Sequence, residues 1–506
     1  MKFSTLLFAL AFALPSFAQT FCGPAIETLP VRAGGRVKPL VVLAEEVMKY
    51  VTGKAQQGEL RAAEAFCKLS FEALGLPSGV DLPVKVEHIE VKKLLAIAEG
   101  ESSAPYSRLQ GEAEALRIAL AGEKENNAYK KELQKVMGRL QTVQGITQGL
   151  VWTFPSDRAG TLVWLPFTEY VSEARLTALR ASSPEPFQAM YAEARADYLR
   201  VAGDDFMTEH LYWRLNPFQW ALVASLIALI VAVAVQRATA GLTLAFVSVA
   251  IQLLGITLRV MVSGRAPITN MYETVMFSGL GALLFSIGFT LWKKEKTFLW
   301  GGLAYNVLCL MMMRFANGML DAGISPLVPV LRDNFWLSTH VTTIILSYAA
   351  LALSWMLANV VLGRQMWRTS ADVKYQSDMI YTCLKFGVVM LATGIILGGV
   401  WADYSWGRFW GWDPKETWSL IVLLVYMAIL HGKSTAWIPP KRFVPLVAGA
   451  FMSVMMAWFG VNYILATGLH SYGFSEGGAI FLGSFFAIQT GFLLLAHFKL
   501  AAKAER

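Results

Sequence analysis

Apolar and polar positions are distributed unevenly along this chain of 506 residues. Charged side chains are frequent in the first 210 positions, whereas long apolar runs fill the remainder. From Pro217 onward the chain divides into nine apolar segments, each close to the length that a helix needs to cross about 30 Å of hydrocarbon. The segments lie near residues 217–236, 240–262, 272–292, 297–313, 338–362, 379–400, 416–432, 443–466 and 477–497. The pattern predicts an all-α, polytopic helical membrane protein with an N-terminal polar domain.

The polar domain, residues 19–210, is predicted to be mostly helical. Apolar residues recur at every third or fourth position within residues 40–50 and again within 106–150, as on the buried face of a helix. Residues 152–160, WTFPSDRAG, are rich in turn formers and predict a break between helices. We recognise no catalytic motif in this domain.

The first residues resemble a secretory signal peptide at positions 1–18, with an uncleaved membrane anchor as the alternative. Lys2 precedes an apolar run at residues 3–14, and the small residues Ser16 and Ala18 offer a cleavage site. If residue 216 is outside, the inside loops and tail hold thirteen Lys and Arg residues and the outside loops hold five. This asymmetry follows the positive-inside rule. We therefore expect a bacterial inner-membrane protein with the polar domain, residues 19–210, in the periplasm and the C-terminus in the cytoplasm.

Charge and cysteine content exclude several classes of protein. The net charge of +8 is weak evidence for a nucleic-acid partner, because membrane proteins collect Lys and Arg in cytoplasmic loops. With four cysteines and no CxxC motif, we expect neither a zinc site nor a thioredoxin-like redox centre. Cys22 and Cys67 would lie in an oxidising compartment that permits a disulfide, although their spacing does not show that they are close.

The segment WADYSWGRFWGWDPKETW, residues 401–418, concentrates aromatic side chains between two predicted spans. Five of the 16 tryptophans of the chain lie in it: Trp401, Trp406, Trp410, Trp412 and Trp418. An aromatic belt at the membrane interface is one explanation, but a belt distributes its residues over many helix ends. Flat apolar faces beside a few charges favour a site for a large flat ligand with charged edges, such as a porphyrin. The orientation given above places this segment on the periplasmic side.

Two histidines are predicted to lie on the same membrane side as residues 401–418. His340 begins the fifth span and His470 follows the eighth. Two imidazoles from separate helices are what a six-coordinate haem iron needs, although either one alone is more simply an interfacial residue. His431 lies on the seventh span about 20 Å deeper, at 1.5 Å per residue. His431 is a functional candidate because it is an ionisable residue within a membrane span. The alternative is that its side chain, close to Lys433, only extends towards the membrane surface.

The sequence WGRFWGWDPKETWSL is similar to the tryptophan-rich signature of the CcsA/CcmC/CcmF haem-handling family of cytochrome c maturation proteins. The resemblance is close to CcsA, a component of the System II cytochrome c synthase, and it extends over residues 264–277, 338–352, 398–418 and 468–473. The resemblance implies that His340 and His470 ligate haem b, as a bound substrate, on the periplasmic side. It also implies that His431 binds haem within the membrane. The product would be haem joined by thioether bonds to the CxxCH motif of apocytochrome c.

The charged residues of this segment have two possible roles. Arg408 and Lys415 are candidates for binding the haem propionates, and pairing with Asp413 or Glu416 is an equal alternative. Asp413 and Glu416 would orient neighbouring backbone or cations, since a carboxylate against a dianionic haem edge is unfavourable. The rings expected to stack on the porphyrin are Trp406, Trp410 and Trp412.

The resemblance implies partner proteins as well. Fused members of the family carry a CcsB half with a large β-rich region, and here a smaller helical domain stands in its place. We therefore expect a CcsB/ResB-like membrane partner. No predicted span before residue 338 contains a histidine, so the second ligand of a membrane haem at His431 would come from another chain or from another residue type, or would be absent. Apocytochrome c and thiol-reducing thioredoxin-like proteins are the other expected partners. The alternatives are a CcmF-like haem lyase for one multihaem cytochrome and, in a different class, a non-haem transporter or structural membrane module.

Overall fold

The computed structural model describes residues 21–504, apart from 126, 182–184, 317, 328, 368–372 and 466–476. The chain divides into two compact units, the first ending at Trp213 and the second beginning at Arg214. The predicted signal peptide and His470 lie outside the described residues.

The first unit combines short helices with three antiparallel pairs of strands. Its α-helices are α1 (Leu40–Thr52), α2 (Ala62–Ser70), α3 (Ile89–Leu94), α4 (Tyr106–Gly111), α5 (Ala113–Gly122), α6 (Ala128–Thr147), α7 (Phe167–Tyr170), α8 (Glu173–Arg180), α9 (Glu185–Ala202) and α10 (Met207–Leu215), with 3-10 turns at Pro24–Thr28 and Phe71–Leu74. The strand pairs are β1 (Pro30–Ala33) with β2 (Arg36–Pro39), β3 (Pro83–Lys85) with β4 (Ser103–Pro105), and β5 (Thr153–Arg158) with β6 (Thr161–Pro166).

A disulfide and an aromatic core hold the first unit together. Cys22 and Cys67 are joined across a Cα–Cα distance of 5.7 Å, so the pairing that the sequence left open is present. Phe66, next to Cys67, packs edge-on against the fully buried Trp152 with ring centroids 5.9 Å apart. Trp152 in turn stacks on Phe167 at 4.9 Å. The disulfide therefore fixes the N-terminal turn to the helix that contributes to this core.

The break predicted at residues 152–160 is wrong, because most of this segment forms strand β5. Phe154 and Pro155 are buried, whereas the other four residues of the strand are partly buried or exposed. The turn to β6 consists of Ala159 and Gly160, both at positive φ (52° and 83°), the geometry that favours tight two-residue hairpins. The turn-forming residues therefore form the tight turn of a hairpin here. Composition alone does not distinguish a hairpin turn from a loop between helices.

The second unit is a bundle of membrane-length helices. Within the described part of the chain, nine helices are long and apolar enough to cross a membrane, which confirms the predicted all-α polytopic fold. They comprise α10 continuing into α11 (Pro217–Val233), α12 (Ala238–Ser263), α13 (Met271–Lys293), α14 (Thr297–Phe315), the short α15 (Asn334–Trp336) leading through a π-helical turn (Leu337–Val341) into α16 (Thr342–Trp367), then α17 (Val373–Trp406), α18 (Pro414–Ser434), α19 (Pro440–Met455) leading through a second π-helical turn (Met456–Gly460) into α20 (Val461–Tyr463), and α21 (Gly478–Ala504).

Helix α16 is the centre of the second unit. It packs against α13, α14, α17, α19 and α21. Close approach depends on small residues, since a Cβ added at Gly387 of α17 would lie 2.6 Å from Leu351 Cδ2 of α16. Only 22% of the apolar part of α18 and 17% of that of α21 is buried, so these helices present apolar faces outward.

A buried ion pair fixes the N-terminal end of α13. Arg259 Nε donates to Glu273 Oε1 at 2.7 Å, and neither side chain is more than 1% exposed. Arg259 also donates to the carbonyls of Ala322 and Gly323, at 2.9 and 3.3 Å. Glu273 Oε2 accepts from the backbone N–H and the hydroxyl of Thr269, both at 2.7 Å. Because buried charges are stable only when paired and hydrogen-bonded, this network holds the segment before α13 in place.

Candidate functional site

A large cavity opens at the end of the bundle where α17 connects to α18. It encloses about 1210 Å³ of space that protein atoms do not fill, including open solvent at its mouth. Its walls come from the start of α13, the first half of α16, the C-terminal end of α17, the start of α18 and the turn before α20. The lining is mostly aromatic and aliphatic, which suits a large apolar ligand.

Both π-helical turns border this cavity. The first precedes α16 and contributes His340, and the second follows α19 and contributes Trp458. Such turns are rare and occur frequently at functional sites, where the extra residue changes the direction of a side chain. Two of them on one cavity are an independent indication that the cavity is functional.

The imidazole of His340 is oriented by the neighbouring helix α17. Its Nδ1 lies 2.9 Å from the carbonyl oxygen of Gly394. A carbonyl oxygen only accepts hydrogen bonds, so Nδ1 carries the proton and the lone pair of the ring is on Nε2. Metal-binding histidines are commonly oriented by such a bond. The edge of Trp401 packs against the same imidazole, with ring centroids 5.7 Å apart.

Two consecutive glycines let α17 approach the residues of the cavity wall. A Cβ added at Gly398 would lie 2.5 Å from His340 Cε1, and one at Gly399 would lie 2.5 Å from Phe409 Cζ. Distances below about 3 Å are not tolerated without movement of one of the groups. The position of His340 therefore depends on the absence of a side chain at Gly398.

The tryptophan-rich segment is partly helical. Helix α17 continues to Trp406 and α18 begins at Pro414, so the connecting loop spans only residues 407–413. The Asp413 carboxylate accepts the backbone N–H of Glu416 at 3.0 Å, and the Glu416 side chain accepts the Asp413 N–H in return. This capping box fixes the start of α18 and explains the buried position of both carboxylates.

Arg408 pairs with the Glu416 carboxylate. The Nη1–Oε1 distance is 3.1 Å, and the guanidinium carbon lies 5.7 Å from the ring centroid of Trp406. The Gly411 N–H donates to the other oxygen of Glu416 at 2.6 Å. Pairing with a carboxylate, one of the two roles that the sequence left open for Arg408, is present in the structure, and binding of a haem propionate stays a prediction.

Only part of the predicted set of site residues lines the cavity. The lining members of that set are His340, Trp401, Trp410 and Lys415. The other described members, which are absent from its lining, are Trp406, Arg408, Trp412, Asp413, Trp418 and His431. The backbone at Trp412 has a positive φ of 59°, and its side chain is 69% exposed. Trp410 and Trp412 meet edge-on at an interplanar angle of 84°, so the loop does not form a single stacking plane.

His431 lies at the far end of α18, about 24 Å from Lys415 at 1.5 Å per residue. Its side chain is exposed, and its Nδ1 lies 2.9 Å from the Met427 carbonyl oxygen of its own helix. It therefore takes no part in the cavity.

Two indole N–H groups in the cavity wall are buried without a hydrogen-bond partner among the described residues. They belong to Trp401 and Trp410. By contrast, the indole of Trp458 donates to Thr274 Oγ1 at 3.1 Å. Buried donors are nearly always satisfied in native proteins, so these two favour a ligand that brings acceptor groups to them. Together with the Lys415 ammonium, they suit an apolar ring with carboxylate edges.

Sequence reasoning assigned no role to the wall opposite the tryptophan-rich segment. Asn270, Met271 and Thr274 line it from the start of α13, and Trp458 and Asn462 line it from the end of the eighth span. Residues 264–277 contribute to the resemblance, but these side chains match no metal-ligand or catalytic pattern. A single tryptophan in an apolar helix is ordinarily a packing residue, so its sequence context gives no signal of this position.

The fold and the cavity define a polytopic membrane protein with a ligand site at one end of its helix bundle. Residues 268–470 match the family described as Cytochrome C assembly protein. The chain is 34% identical to the cytochrome c biogenesis protein CcsA of Guillardia theta over 239 residues, which cover 42% of this chain and 78% of that protein. It is 33% identical to CcsA of Chlamydomonas reinhardtii over 265 residues, covering 50% and 72% of the two chains. The chain belongs to the cytochrome c assembly family and is of the CcsA type.

A further similarity is to Protein NrfI of Wolinella succinogenes. The identity is 37% over 245 residues, which cover 45% of this chain and 26% of NrfI. The chain therefore aligns with about a quarter of the length of that relative.

Proposed function

We propose that this protein acts in cytochrome c biogenesis by binding haem b, as a substrate, in the cavity beside His340 and presenting it to apocytochrome c. The observation that carries this proposal is the geometry of His340. Its Nδ1 lies 2.9 Å from the Gly394 carbonyl oxygen, and its imidazole lines a cavity with aromatic walls. Imidazole nitrogen is a common axial ligand of haem iron. Membership of the cytochrome c assembly family also supports a role in cytochrome c biogenesis.

The cavity matches the two chemical regions of haem. Trp401, Trp410 and Trp458 offer aromatic surface for the porphyrin ring. Lys415 and the buried indole N–H groups offer donors for the propionates. Glu416 also lines the cavity, and its pairing with Arg408 offsets a negative charge that would otherwise repel an anionic ligand.

We further propose His470 as the second axial ligand. It lies outside the described residues, and the proposal rests on its place after the eighth span, on the membrane side of residues 401–418. Two imidazoles would keep the iron six-coordinate until the histidine of the CxxCH motif replaces one of them. Each thiol of that motif then adds across one haem vinyl group, sulfur to one carbon and hydrogen to the other, so the addition needs no oxidant.

The proposed location is the bacterial inner membrane, with the first unit and residues 401–418 in the periplasm. The excess of basic residues in the opposite loops supports this orientation, and so does the Cys22–Cys67 disulfide, because disulfides persist in oxidising compartments. The proposed partners are a CcsB/ResB-like membrane protein, apocytochrome c and thioredoxin-like proteins that keep its thiols reduced. The outward apolar faces of α18 and α21 offer area for the membrane partner.

Absorption spectroscopy of the full chain purified in detergent tests the haem site. We expect a Soret band in the native protein and a loss of at least tenfold in bound haem for His340→Ala. His497→Ala is the matched control, because His497 is exposed on α21 outside the cavity lining. Added imidazole should restore binding to His340→Ala if the residue acts as a ligand rather than as a packing group. An unchanged Soret band in His340→Ala would contradict the proposal.

A further inference from the structure

A second cavity lies at the opposite end of the α16–α17 pair. It encloses about 540 Å³ including its mouth, between the C-terminal end of α16, the start of α17 and the turn before α14. Gln376 of α17 lines this cavity and Gly398 of the same helix lines the first, a separation of about 33 Å at 1.5 Å per residue. That distance is close to the thickness of the hydrocarbon core, so the second cavity lies near the other membrane surface.

The second cavity is polar at its mouth and aliphatic at its floor. Arg364 lies near the end of α16, and Leu357 lies two helical turns deeper, about 10 Å along the axis. Tyr375 and Gln376 lie at the start of α17, with the aliphatic residues of that helix one turn deeper. The floor consists of Leu357, Val361, Met379 and Ile380. This gradient, parallel to the helix axes, has the polarity of a phospholipid at a membrane surface.

Arg364 contributes a positive charge to the mouth. Its guanidinium carbon lies 5.1 Å from the ring centroid of Trp300, and among the described residues it forms no ion pair. Lys296 Nζ lies 5.4 Å from the same ring. The Trp300 indole N–H is buried without a hydrogen-bond partner in the described part of the chain. Lys296 and Trp300 do not line the cavity, so the Arg364 guanidinium is the cationic donor of its lining. A phosphate group is the acceptor that a guanidinium favours, and basic pockets between membrane helices commonly bind lipid headgroups.

Glu295 contributes a negative charge to the same mouth. Its Oε1 accepts from the backbone N–H and the hydroxyl of Thr297, at 3.0 and 2.7 Å, and its Oε2 accepts from the Tyr375 hydroxyl at 3.0 Å. Burial acts to raise the pKa of Glu295, but the hydrogen bonds from Thr297 and Tyr375 outweigh it and lower that pKa. The carboxylate is therefore ionised at neutral pH and has acceptor capacity for a further donor.

We propose that this second cavity binds the headgroup of an ethanolamine phospholipid. The phosphate lies beside Arg364, the ammonium group beside Glu295, and the start of an acyl chain along the aliphatic floor. A carboxylate and a guanidinium at one mouth favour a zwitterionic headgroup over an anionic one. The aliphatic floor favours a flexible chain over the flat ring that suits the aromatic first cavity. This inference does not depend on the proposed haem function.

Native mass spectrometry of the full chain in detergent tests this site. Phosphatidylethanolamine, phosphatidylglycerol and phosphatidylcholine with identical acyl chains are added in turn, and we expect the highest occupancy for phosphatidylethanolamine. Arg364→Gln should lower that occupancy about tenfold, the effect of one charge-assisted contact. Arg442→Gln is the matched control, an exposed cation at the same end of the bundle that does not line the cavity, and should leave occupancy unchanged. Glu295→Gln should abolish the preference for phosphatidylethanolamine over phosphatidylglycerol.

A variant of the cavity floor and a competition with inorganic phosphate complete the test. Val361→Trp fills the aliphatic floor without altering a charge and should also lower occupancy, with circular dichroism confirming that each variant is folded. Equal occupancy by the three lipids, or an unaffected Arg364→Gln, would overturn the proposal. Displacement of the lipid by millimolar inorganic phosphate would overturn it too, since the site would then recognise phosphate alone.

Discussion

Replacing Gly398 by alanine tests whether His340 must hold its observed position. The added Cβ would lie 2.5 Å from Cε1, 3.0 Å from Nδ1 and 3.2 Å from Nε2 of the imidazole. An ordinary contact of about 3.5 Å requires the ring to move by about 1 Å. Such a movement lengthens the 2.9 Å bond from Nδ1 to the Gly394 carbonyl beyond hydrogen-bonding range.

The expected effect of Gly398→Ala is specific to ligand binding. Loss of the group that orients a metal-binding histidine typically costs about 10–100-fold in affinity, so haem affinity should fall by that factor. Thermal stability should change little, because alanine is favoured over glycine in a helix by about 1 kcal/mol, which offsets part of the strain.

Haem titration followed at the Soret band measures the affinity of Gly398→Ala, and calorimetry measures its stability. Gly288→Ala is the matched control, since it lies within α13 and an added Cβ there meets no atom within 4 Å. That variant should bind haem normally and be slightly more stable. Wild-type haem affinity and an unshifted Soret maximum in Gly398→Ala would refute the argument that haem binding requires the observed position of the His340 imidazole.

Three further predictions concern charges and the disulfide. Glu273→Ala leaves its buried guanidinium partner unpaired and should destabilise the protein by about 3–5 kcal/mol, measured by thermal unfolding. Cys22→Ser opens the 45-residue disulfide loop and should lower the free energy of unfolding of the first unit by about 4 kcal/mol in the chain-entropy model, measured by limited proteolysis in urea. Arg408→Gln leaves the Glu416 charge uncompensated and should weaken haem binding about tenfold in a titration, while adding Glu416→Gln should restore it.

The membrane architecture was predictable from the sequence because span length and hydropathy are local properties. Each predicted span corresponds to a helix of the described structure, even where a π-helical turn interrupts it. The placement of His340 at the start of the fifth span followed from the same hydropathy pattern. Its hydrogen bond to Gly394 did not, because it joins residues 54 positions apart through the packing of two helices.

The tryptophan-rich segment shows where composition fails. The sequence predicted that Trp406, Trp410 and Trp412 stack on one ring. Trp412 has a positive φ, and its exposed side chain is absent from the cavity lining, whereas Trp410 lines the cavity. The backbone conformation at a single residue decides whether a tryptophan ring lines the cavity or faces away from it. The spacing of aromatic residues in the sequence does not predict that conformation. Trp458, which completes the cavity, comes from another helix about fifty residues away and has no aromatic neighbourhood like that of the loop.

The position of His431 bears on how haem would reach the first cavity. It lies about 24 Å from Lys415 along α18, on a helix whose apolar part is only 22% buried. A haem held there would contact the outward face of the bundle rather than its interior, so this chain alone would enclose only one side of the ring. We therefore propose that a CcsB/ResB-like partner covers this face and supplies the second ligand. The first cavity differs in this respect, because its walls come from five segments of one chain.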